Sequence, residues 1–473
     1  MARVLMVSSE AAPFAKTGGL ADVVGALPAA LGECGDEVAV VLPRYGHIAL
    51  DDAVRVWDNL VTWPGWFSIP VDIYAITRRG VTFYLVDHPG LYDRPGIYSV
   101  NGHDLGDNHV RFSVLCHAAL GVARHLFRPQ ILHLHDWQAC LAAPYLRTTY
   151  ATDPSFYGIR ILTTVHNLGY QGRYSPHILP EIGLDRSIMR PDLMEFYGDV
   201  NLLKGGIVFA DAISTVSQGY AREIQTAEYG FGLDGLLRAR SADLHGIVNG
   251  VDYTVWDPQH DPNIAAPYST EDLSGKRECK LDLLREFGLP ADDPERPVIG
   301  IISRLAAQKG FDIIGQVVHS LLGYDVYFCM LGSGDPGYES MLSWMAASRP
   351  DRVGVKIGYD LRLAHKIEAG SDMFLMPSHY EPCGLNQIYS LRYGTLPIVR
   401  ATGGLEDTID PDTGFKFWEY NGWAMLGAIN AALSVYWNDR ERWTLMMREA
   451  MSRDFSWHHS AVEYSRLYRR LLI

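Results

Sequence analysis

The sequence predicts an α/β fold made of two parallel-sheet halves, and three observations carry that prediction. Short β-branched runs alternate with helical patterns throughout, the signature of parallel sheets covered by helices on both faces. A six-residue string recurs, Thr17-Gly18-Gly19-Leu20-Ala21-Asp22 and Thr402-Gly403-Gly404-Leu405-Glu406-Asp407, each time after a short apolar run. At 473 residues the chain is also too long for one ordinary core, which favours two large domains.

In chain order, the first half offers strands at Val4–Val7, Val38–Leu42, Phe83–Val86, Ile131–His135, Ile161–His166 and Ala212–Val216. The second offers Val298–Ser303, Val326–Leu331, Val353–Ile357, Phe374–Met376 and Pro397–Val399. Between the two series, His245 to Pro267 mixes Gly, Asn, Asp and Pro, so the crossover is expected at about residues 245–260. The expected division is 1–247, 248–456 and a terminal segment 457–473 whose Tyr464, Leu467, Tyr468, Leu471 and Leu472 space like an amphipathic helix. No period of 20–50 residues suggests a solenoid or propeller.

Composition narrows the function classes. A hydrophobic content of 48% with 20% charged residues is that of a globular enzyme, not of a disordered chain. The net charge of −14 repels polyanions, which argues against a nucleic-acid or anionic-membrane partner. The six cysteines are scattered without a Cys-x-x-Cys pair, which fits reduced thiols, and the expected location is the cytoplasm. The amino terminus reads as a first strand, not a signal peptide, and no stretch approaches the roughly 20 apolar residues that cross a bilayer. The 26 Tyr and 11 Trp suit sugar rings as well as cores.

Each repeated string reads as strand, tight turn, helix start. Paired glycines let successive N–H groups point one way, and a helix beginning there adds partial positive charge, so each turn can hold phosphate or a sugar hydroxyl. Gly-Gly also closes turns that bind nothing. After strand Val298–Ser303 come Arg304 and Lys309-Gly310. A planar guanidinium fork and a movable ammonium together can neutralise a departing diphosphate, although a solvated strand end also carries surface cations. The segment Met376 to Gln387 places Glu381 in a loop that enters a helix, with amides near Gly384 and Leu385 available to phosphate. The same residues would also make a plain capped turn.

Taken in order, Lys16-Thr17-Gly18-Gly19-Leu20, His135-Asp136-Trp137-Gln138, Thr164-Val165-His166-Asn167, Asn249-Gly250-Val251-Asp252, Arg304-Leu305 with Gln308-Lys309-Gly310, and Glu381-Pro382-Cys383-Gly384-Leu385-Asn386-Gln387 resemble the bacterial glycogen synthase and plant starch synthase family. The likeness spans nearly the whole chain. It implies a retaining glycosyltransferase of GT-B architecture, two Rossmann-like domains facing a deep central cleft, with the carboxyl-terminal helix returning to the first domain. The implied donor is ADP-glucose, the acceptor an α-1,4-glucan, and no cofactor or metal is implied.

By motif, the resemblance assigns Arg304 and Lys309 to the diphosphate, Gly384 and Leu385 with the site-lining Cys383 to the distal phosphate, and Gly18 and Gly19 to the donor near its sugar. Lys16 meets phosphate from the opposite domain, and Tyr359 with Gly358 stacks on adenine. Asp22, Asp136, His166, Asn167 and Asn249 fall on the glucose and acceptor side. Tyr98 and Trp137 are expected to offer aromatic faces to the glucan. Glu381 is the candidate carboxylate near the reacting carbon. Related retaining families carry a second Glu eight positions later, where this chain has Tyr389, and His379-Tyr380 stands where the family usually has Arg-Phe. The expected route is therefore same-face, the leaving phosphate helping to deprotonate the glucan hydroxyl while Glu381 positions the sugar. The oligomeric state is left open.

Two other classes share parts of the pattern. Gly332-Ser333-Gly334-Asp335-Pro336-Gly337 matches the dinucleotide fingerprint literally, but the acidic partner Asp351 precedes its strand instead of ending one. That turn is expected in the nucleotide crevice of the donor domain. A non-catalytic two-domain sugar receptor would share the fold but have little use for Arg304, Lys309 and Lys16.

Overall fold

The computed structural model describes residues 1–100 and 102–473. The chain forms two compact units, Met1–Val216 with Ala221–Gly250 and Trp457–Ile473, and Val251–Ser456 with Ser217–Tyr220.

Among the described residues, the first unit holds a nine-stranded sheet. Its strands are β1 (Arg3–Val7), β2 (Glu37–Pro43), β3 (Val54–Thr62), β4 (Ile69–Arg78), β5 (Val81–Asp87), β6 (Ile131–His135), β7 (Arg160–Val165), β8 (Ala212–Thr215) and β9 (Leu244–Gly246). The order is β9-β8-β7-β6-β1-β2-β5-β4-β3. Strands β1, β2 and β5 to β9 run parallel, while β3 and β4 are antiparallel additions at one edge. The parallel strands β1 and β6 are buried almost throughout, as strands covered on both faces are, whereas β3 leaves Val54 and Val61 exposed.

The helix Gly19–Glu33 follows β1 directly, and the terminal helix Trp457–Leu471 packs against it. That terminal helix buries Trp457, Ala461, Tyr464, Leu467 and Tyr468, the face its spacing predicts. A Cβ at Gly250 would lie 2.5 Å from the Trp457 backbone, so glycine lets the helix enter beside the chain that leaves β9.

The second unit holds a six-stranded parallel sheet: β10 (Val298–Leu305), β11 (Tyr327–Gly334), β12 (Val353–Ile357), β13 (Met373–Met376), β14 (Leu396–Arg400) and β15 (Phe415–Phe417). The order is β12-β11-β10-β13-β14-β15. Its core joins Ile299, Ile301, Phe328, Phe374 and Ile398 of the strands to Met425 and Ile429 of the covering helix Gly422–Asn438.

Both sheets are Rossmann-like, the fold class read from the sequence. Along its parallel strands each sheet reverses order once, in the first unit between β1 and β6 and in the second between β10 and β13. Ligands of open parallel sheets bind beyond the carboxyl ends of the strands at such a reversal.

Candidate active site

In the first unit the reversal brings together the loops that leave β1 and β6. Ser8 Oγ donates to Glu10 O and accepts from Glu10 N, turning the chain sharply as β1 ends. Ala11 and Ala15 then bridge to one another, and Lys16 to Gly19 emerge as an exposed turn. Beneath that turn lies Glu10, buried, whose carboxylate accepts from Thr17 N, Gly18 N (3.3 Å), Thr17 Oγ1 (2.6 Å) and Tyr98 Oη (2.5 Å). Lys16 Nζ pairs with Asp22 at 2.6 Å. Burial raises the Asp22 carboxyl pKa, against the pull of Lys16.

From β6, His133 and His135 point to one face, with ring centroids 4.1 Å apart. His133 bonds Tyr468 Oη at 2.8 Å and Thr164 Oγ1 at 2.6 Å, and His135 Nδ1 meets His166 Nε2 at 3.0 Å. Burial pushes His133 and His166 down to about 3 and His135 well below its ordinary value, so all three rings are neutral near pH 7. Asp136 sits in the left-handed region at φ 56°, and its Oδ1 accepts from His166 N at 2.7 Å. Burial raises its carboxyl to about 7, the middle of the range for moving a proton.

Asn167 Oδ1 receives Gly169 N, and Asn249 is buried with no partner for its Oδ1 among the described residues. Trp137 is 8% exposed, with its edge on Phe112 and its face under Gly172, where a Cβ would come within 2.5 Å of the indole. Tyr98 turns its hydroxyl inward to Glu10 and Ser9, and its ring lies 6.1 Å from that of Phe112.

In the second unit the reversal brings together the loops after β10 and β13. Arg304 is exposed at the end of β10; its carbonyl accepts from Ser303 Oγ and Ala306 N, and its guanidinium has no hydrogen-bond or ion-pair partner among the described residues. A single turn, Ala307–Lys309, ends on Gly310 at φ 79°, where a Cβ would lie 2.0 Å from Pro377 O. Only glycine permits that approach, and the approach delivers Lys309 to the next loop. Lys309 Nζ lies 2.6 Å from Glu381 Oε2, which also accepts from Ser378 Oγ at 2.9 Å. His379 N donates to Gln308 O, and Gln308 Nε2 to Tyr380 O, so the loops are stitched along their backbones.

Glu381 O accepts from Gly404 N at 3.0 Å, and Gly404 packs against Cys383, where a Cβ would meet its carbonyl at 2.1 Å. Gln387 Nε2 bonds the carbonyls of Cys383 and Gly384, fixing the turn that carries Gly384 and Leu385 into the helix Asn386–Arg392. Tyr389, eight positions after Glu381, stacks on Trp256 at 3.9 Å and so belongs to a packed aromatic layer. Gly358 follows β12 at φ 143° and Tyr359 after it is 81% exposed.

The expected site residues divide between the units: those in the loops after β1, β6, β10 and β13 lie at the strand reversals, His166 and Asn167 follow the neighbouring β7, and Asn249 and the pair Gly358 and Tyr359 follow the edge strands β9 and β12. The first holds Lys16, Gly18, Gly19, Asp22, Tyr98, Asp136, Trp137, His166, Asn167 and Asn249. The second holds Arg304, Lys309, Gly358, Tyr359, Glu381, Cys383, Gly384 and Leu385. Sequence reasoning did not single out Glu10, Ser378, His133 or His135. An acidic residue just after β1 and ahead of a Gly-rich turn was the available signal for Glu10; the paired histidines of β6 were visible as an alternation.

The dinucleotide fingerprint takes a different form from the one its pattern suggests. Strand β11 continues through Gly332 to Gly334, in register with Ser303 to Leu305, and Cβ atoms at Gly332 and Gly334 would strike the carbonyls of Ser303 and Leu305 at 2.1 and 2.4 Å. Those glycines serve close strand approach, and Asp335 caps the following helix by accepting from Gly337 N. Among the described residues, no group of three or more His, Cys, Asp and Glu side chains is placed to hold a metal ion.

Two Rossmann-like units, one with a cation and carboxylate pair at its strand reversal, are a scaffold that many enzymes share, and comparison with known proteins shows that this one is a glycosyltransferase. Residues 3–239 match the family model described as starch synthase catalytic domain, and residues 288–448 the model for glycosyl transferases group 1. The chain is 49% identical to a glycogen synthase of Koribacter versatilis, covering 99% of this chain and 98% of that one. It is 48% identical to a glycogen synthase of Anaeromyxobacter dehalogenans, covering 99% of both. The catalytic domain of starch synthase IV from Arabidopsis thaliana, bound to ADP and acarbose, superposes with a TM-score of 0.91 at 34% identity, covering 100% of this chain and 99% of that one. A sucrose-phosphate synthase from Thermosynechococcus elongatus shares the fold, with a TM-score of 0.62 at 17% identity and coverage of 100% and 99%. The chain belongs to the glycogen and starch synthase family of glycosyltransferases.

Proposed function

We propose that the chain transfers glucose from ADP-glucose to the non-reducing end of an α-1,4-glucan in the cytoplasm, retaining the anomeric configuration and releasing ADP. The observation that carries this reading is the arrangement at the β10 and β13 reversal: Lys309 held against Glu381 at 2.6 Å, beside an Arg304 whose guanidinium is uncommitted. A sugar nucleotide needs cations where its diphosphate departs, and such preorganised charge is worth more than charge recruited from solvent. The relatives' names and the ADP in the starch synthase IV structure support the same donor.

In the reaction, the bond from glucose C1 to the diphosphate oxygen breaks and a bond from C1 to the acceptor O4 forms. Arg304 and Lys309 stabilise the charge that grows on the departing diphosphate. The proton of the acceptor hydroxyl passes to that leaving group, so ADP departs with it. Glu381 already receives Lys309 and Ser378 on one oxygen, which suits a carboxylate that positions glucose and offsets positive charge at C1. Tyr389 leaves no second carboxylate eight positions on. On the acceptor side His166 and His135 are neutral and act through hydrogen bonds, and Asp136, raised to about 7, can accept from a sugar hydroxyl. No organic cofactor or metal enters this scheme.

The test is incubation with ADP-glucose and a glucan primer, measuring ADP release and chain extension, with nicotinamide reduction followed in parallel. Primer-dependent ADP release is expected. Release that ignores the primer, or no transfer from any nucleotide-glucose, would overturn the reading. No helix among the described residues is long and apolar enough to cross a membrane.

A further inference from the structure

The turn Lys16 to Gly19 is exposed, yet its amides are not all open to a ligand. Glu10 already takes the N–H groups of Thr17 and Gly18 on Oε2, and the hydroxyls of Thr17 and Tyr98 on Oε1. The carboxylate is 3% exposed and sits on the inner side of the turn. Tyr98 Oη contacts Ser9 Oγ at 2.7 Å as well, and Ser9 O receives Tyr45 Oη at 2.7 Å, so the underside of the latch is tied to the segment leaving β1. Burial and the neighbouring Glu10 push the Tyr98 phenol well above its ordinary pKa, which keeps it a donor.

We propose that Glu10 is a positioning residue that latches the Lys-Thr-Gly-Gly turn from beneath, with Tyr98 as its second anchor, so that the Gly19 end of the turn faces a nucleotide-sugar donor. A carboxylate with four donors around it is a strong hold for a turn with little packing of its own. Fixing the amides of Thr17 and Gly18 inward leaves the first turn of the helix Gly19–Glu33, which has no side-chain cap, as the part that meets an anionic substrate. In this arrangement Tyr98 acts through its hydroxyl and not as a sugar platform.

The kinetic arm of the test rests on the donor reading above; a second arm does not. In the full chain, Glu10→Gln keeps the size of the side chain but removes its charge and two of its acceptor positions. Tyr98→Phe removes one donor and keeps the ring. Trypsin cleavage after Lys16 reads the mobility of the turn directly and needs no activity. For Glu10→Gln, nicking at Lys16 and the KM for ADP-glucose are each expected to rise about tenfold, the scale of a lost charge-assisted hydrogen bond. The KM for a maltooligosaccharide acceptor at saturating donor is expected to stay unchanged. Tyr98→Phe is expected to move the same two quantities by about threefold, a neutral donor being worth less.

If Glu10→Gln does not fold, Tyr98→Phe alone decides. Unchanged nicking and donor KM in folded variants overturn the latch, as does a rise in acceptor KM alone for Tyr98→Phe. A wild-type chain that is inert toward ADP-glucose, but whose Glu10→Gln variant is nicked faster, would keep the latch and reject the donor reading.

Discussion

The two copies of the Thr-Gly-Gly-Leu turn are nearly identical in sequence and opposite in use. At Thr17 to Gly19 the turn stands in solvent, held from below by the Glu10 carboxylate, and a Cβ at Gly18 would meet nothing within 4 Å. At Thr402 to Leu405 the turn is buried, its Gly404 N–H is spent on Glu381 O, and a Cβ at Gly404 would collide with Cys383 O at 2.1 Å. One copy is an exposed turn whose Thr17 and Gly18 amides are tied down to Glu10; the other is a floor under the loop that carries Glu381. At Gly18 the backbone is extended and space is open, whereas close packing demands glycine at Gly404, so a shared motif does not establish a shared role.

The largest effect should follow from breaking what the buried copy supports. Lys309→Ala or Arg304→Ala is expected to lower turnover by about 10²–10³, or roughly 2.7–4 kcal/mol, by analogy with loss of one charge-stabilising donor. Steady-state kinetics on folded protein, with ADP-glucose and primer, measures this. Turnover within threefold of wild type would detach the β10 loop from the chemistry.

The direct test of the contrast exchanges glycine for alanine in both turns. Gly404→Ala forces a methyl against a backbone carbonyl that has no easy retreat, so a loss of about 1–3 kcal/mol in stability is expected, with activity falling as the Glu381 loop shifts. Gly18→Ala, at φ −158° with open space around its Cβ, should change stability by no more than about 0.5 kcal/mol. Denaturant unfolding of the pair gives both values, and equal losses would erase the distinction.

Charge separates the two units as well. The first unit's site holds neutral histidines and an aspartate whose pKa burial raises to about 7, so the native state keeps a proton that the unfolded chain loses near pH 4. Stability from this group is therefore present at low pH and is lost as pH rises to about 7, where the buried charge is finally formed. Asp136→Asn keeps an acceptor for His166 N without that cost. The variant should match wild type near pH 4 and exceed it by roughly 1–2 kcal/mol at pH 8, while losing activity. His133 and His166, pushed down to about 3, destabilise both proteins alike on acidification and cancel in the comparison. A variant less stable than wild type at pH 8 would contradict the raised aspartate.

Much of this was legible before any coordinates. The parallel strands read as short apolar runs because helices cover both faces, and each expected run overlaps a strand of one of the two sheets, with His166, Val216 and Val326 just outside. The β3 and β4 edge did not show, because β3 is largely exposed and lacks an apolar run. The motif residues Lys309 and Glu381 could be named from sequence, but their 2.6 Å contact depends on Gly310 letting two loops touch. The role of Glu10 was hidden for a related reason, although its place before the Gly-rich turn was visible: its partners are Thr17, Gly18 and the distant Tyr98, joined only when the turn folds back. The repeated turn suggested two sites for phosphate or a sugar hydroxyl, and the burial that distinguishes the second copy is a property of packing that no local string encodes.

The smallest effect belongs to the most exposed site residue of the second unit. Tyr359 is 81% exposed beyond β12, so its replacement by Ala removes almost no packing and should leave unfolding unchanged. If its ring stacks on the donor's base, the KM for ADP-glucose should rise about threefold to tenfold, the worth of one aromatic stack, with turnover little altered. The adjoining Gly358, at φ 143° with nothing within 4 Å of a Cβ, gives the control. Alanine there meets no clash but cannot adopt that backbone without strain, so it should move Tyr359 and raise the same KM without removing the ring. Agreement between Tyr359→Ala and Gly358→Ala would assign the effect to ring placement; a donor KM unmoved by either would take this surface out of the site and leave base recognition to other residues.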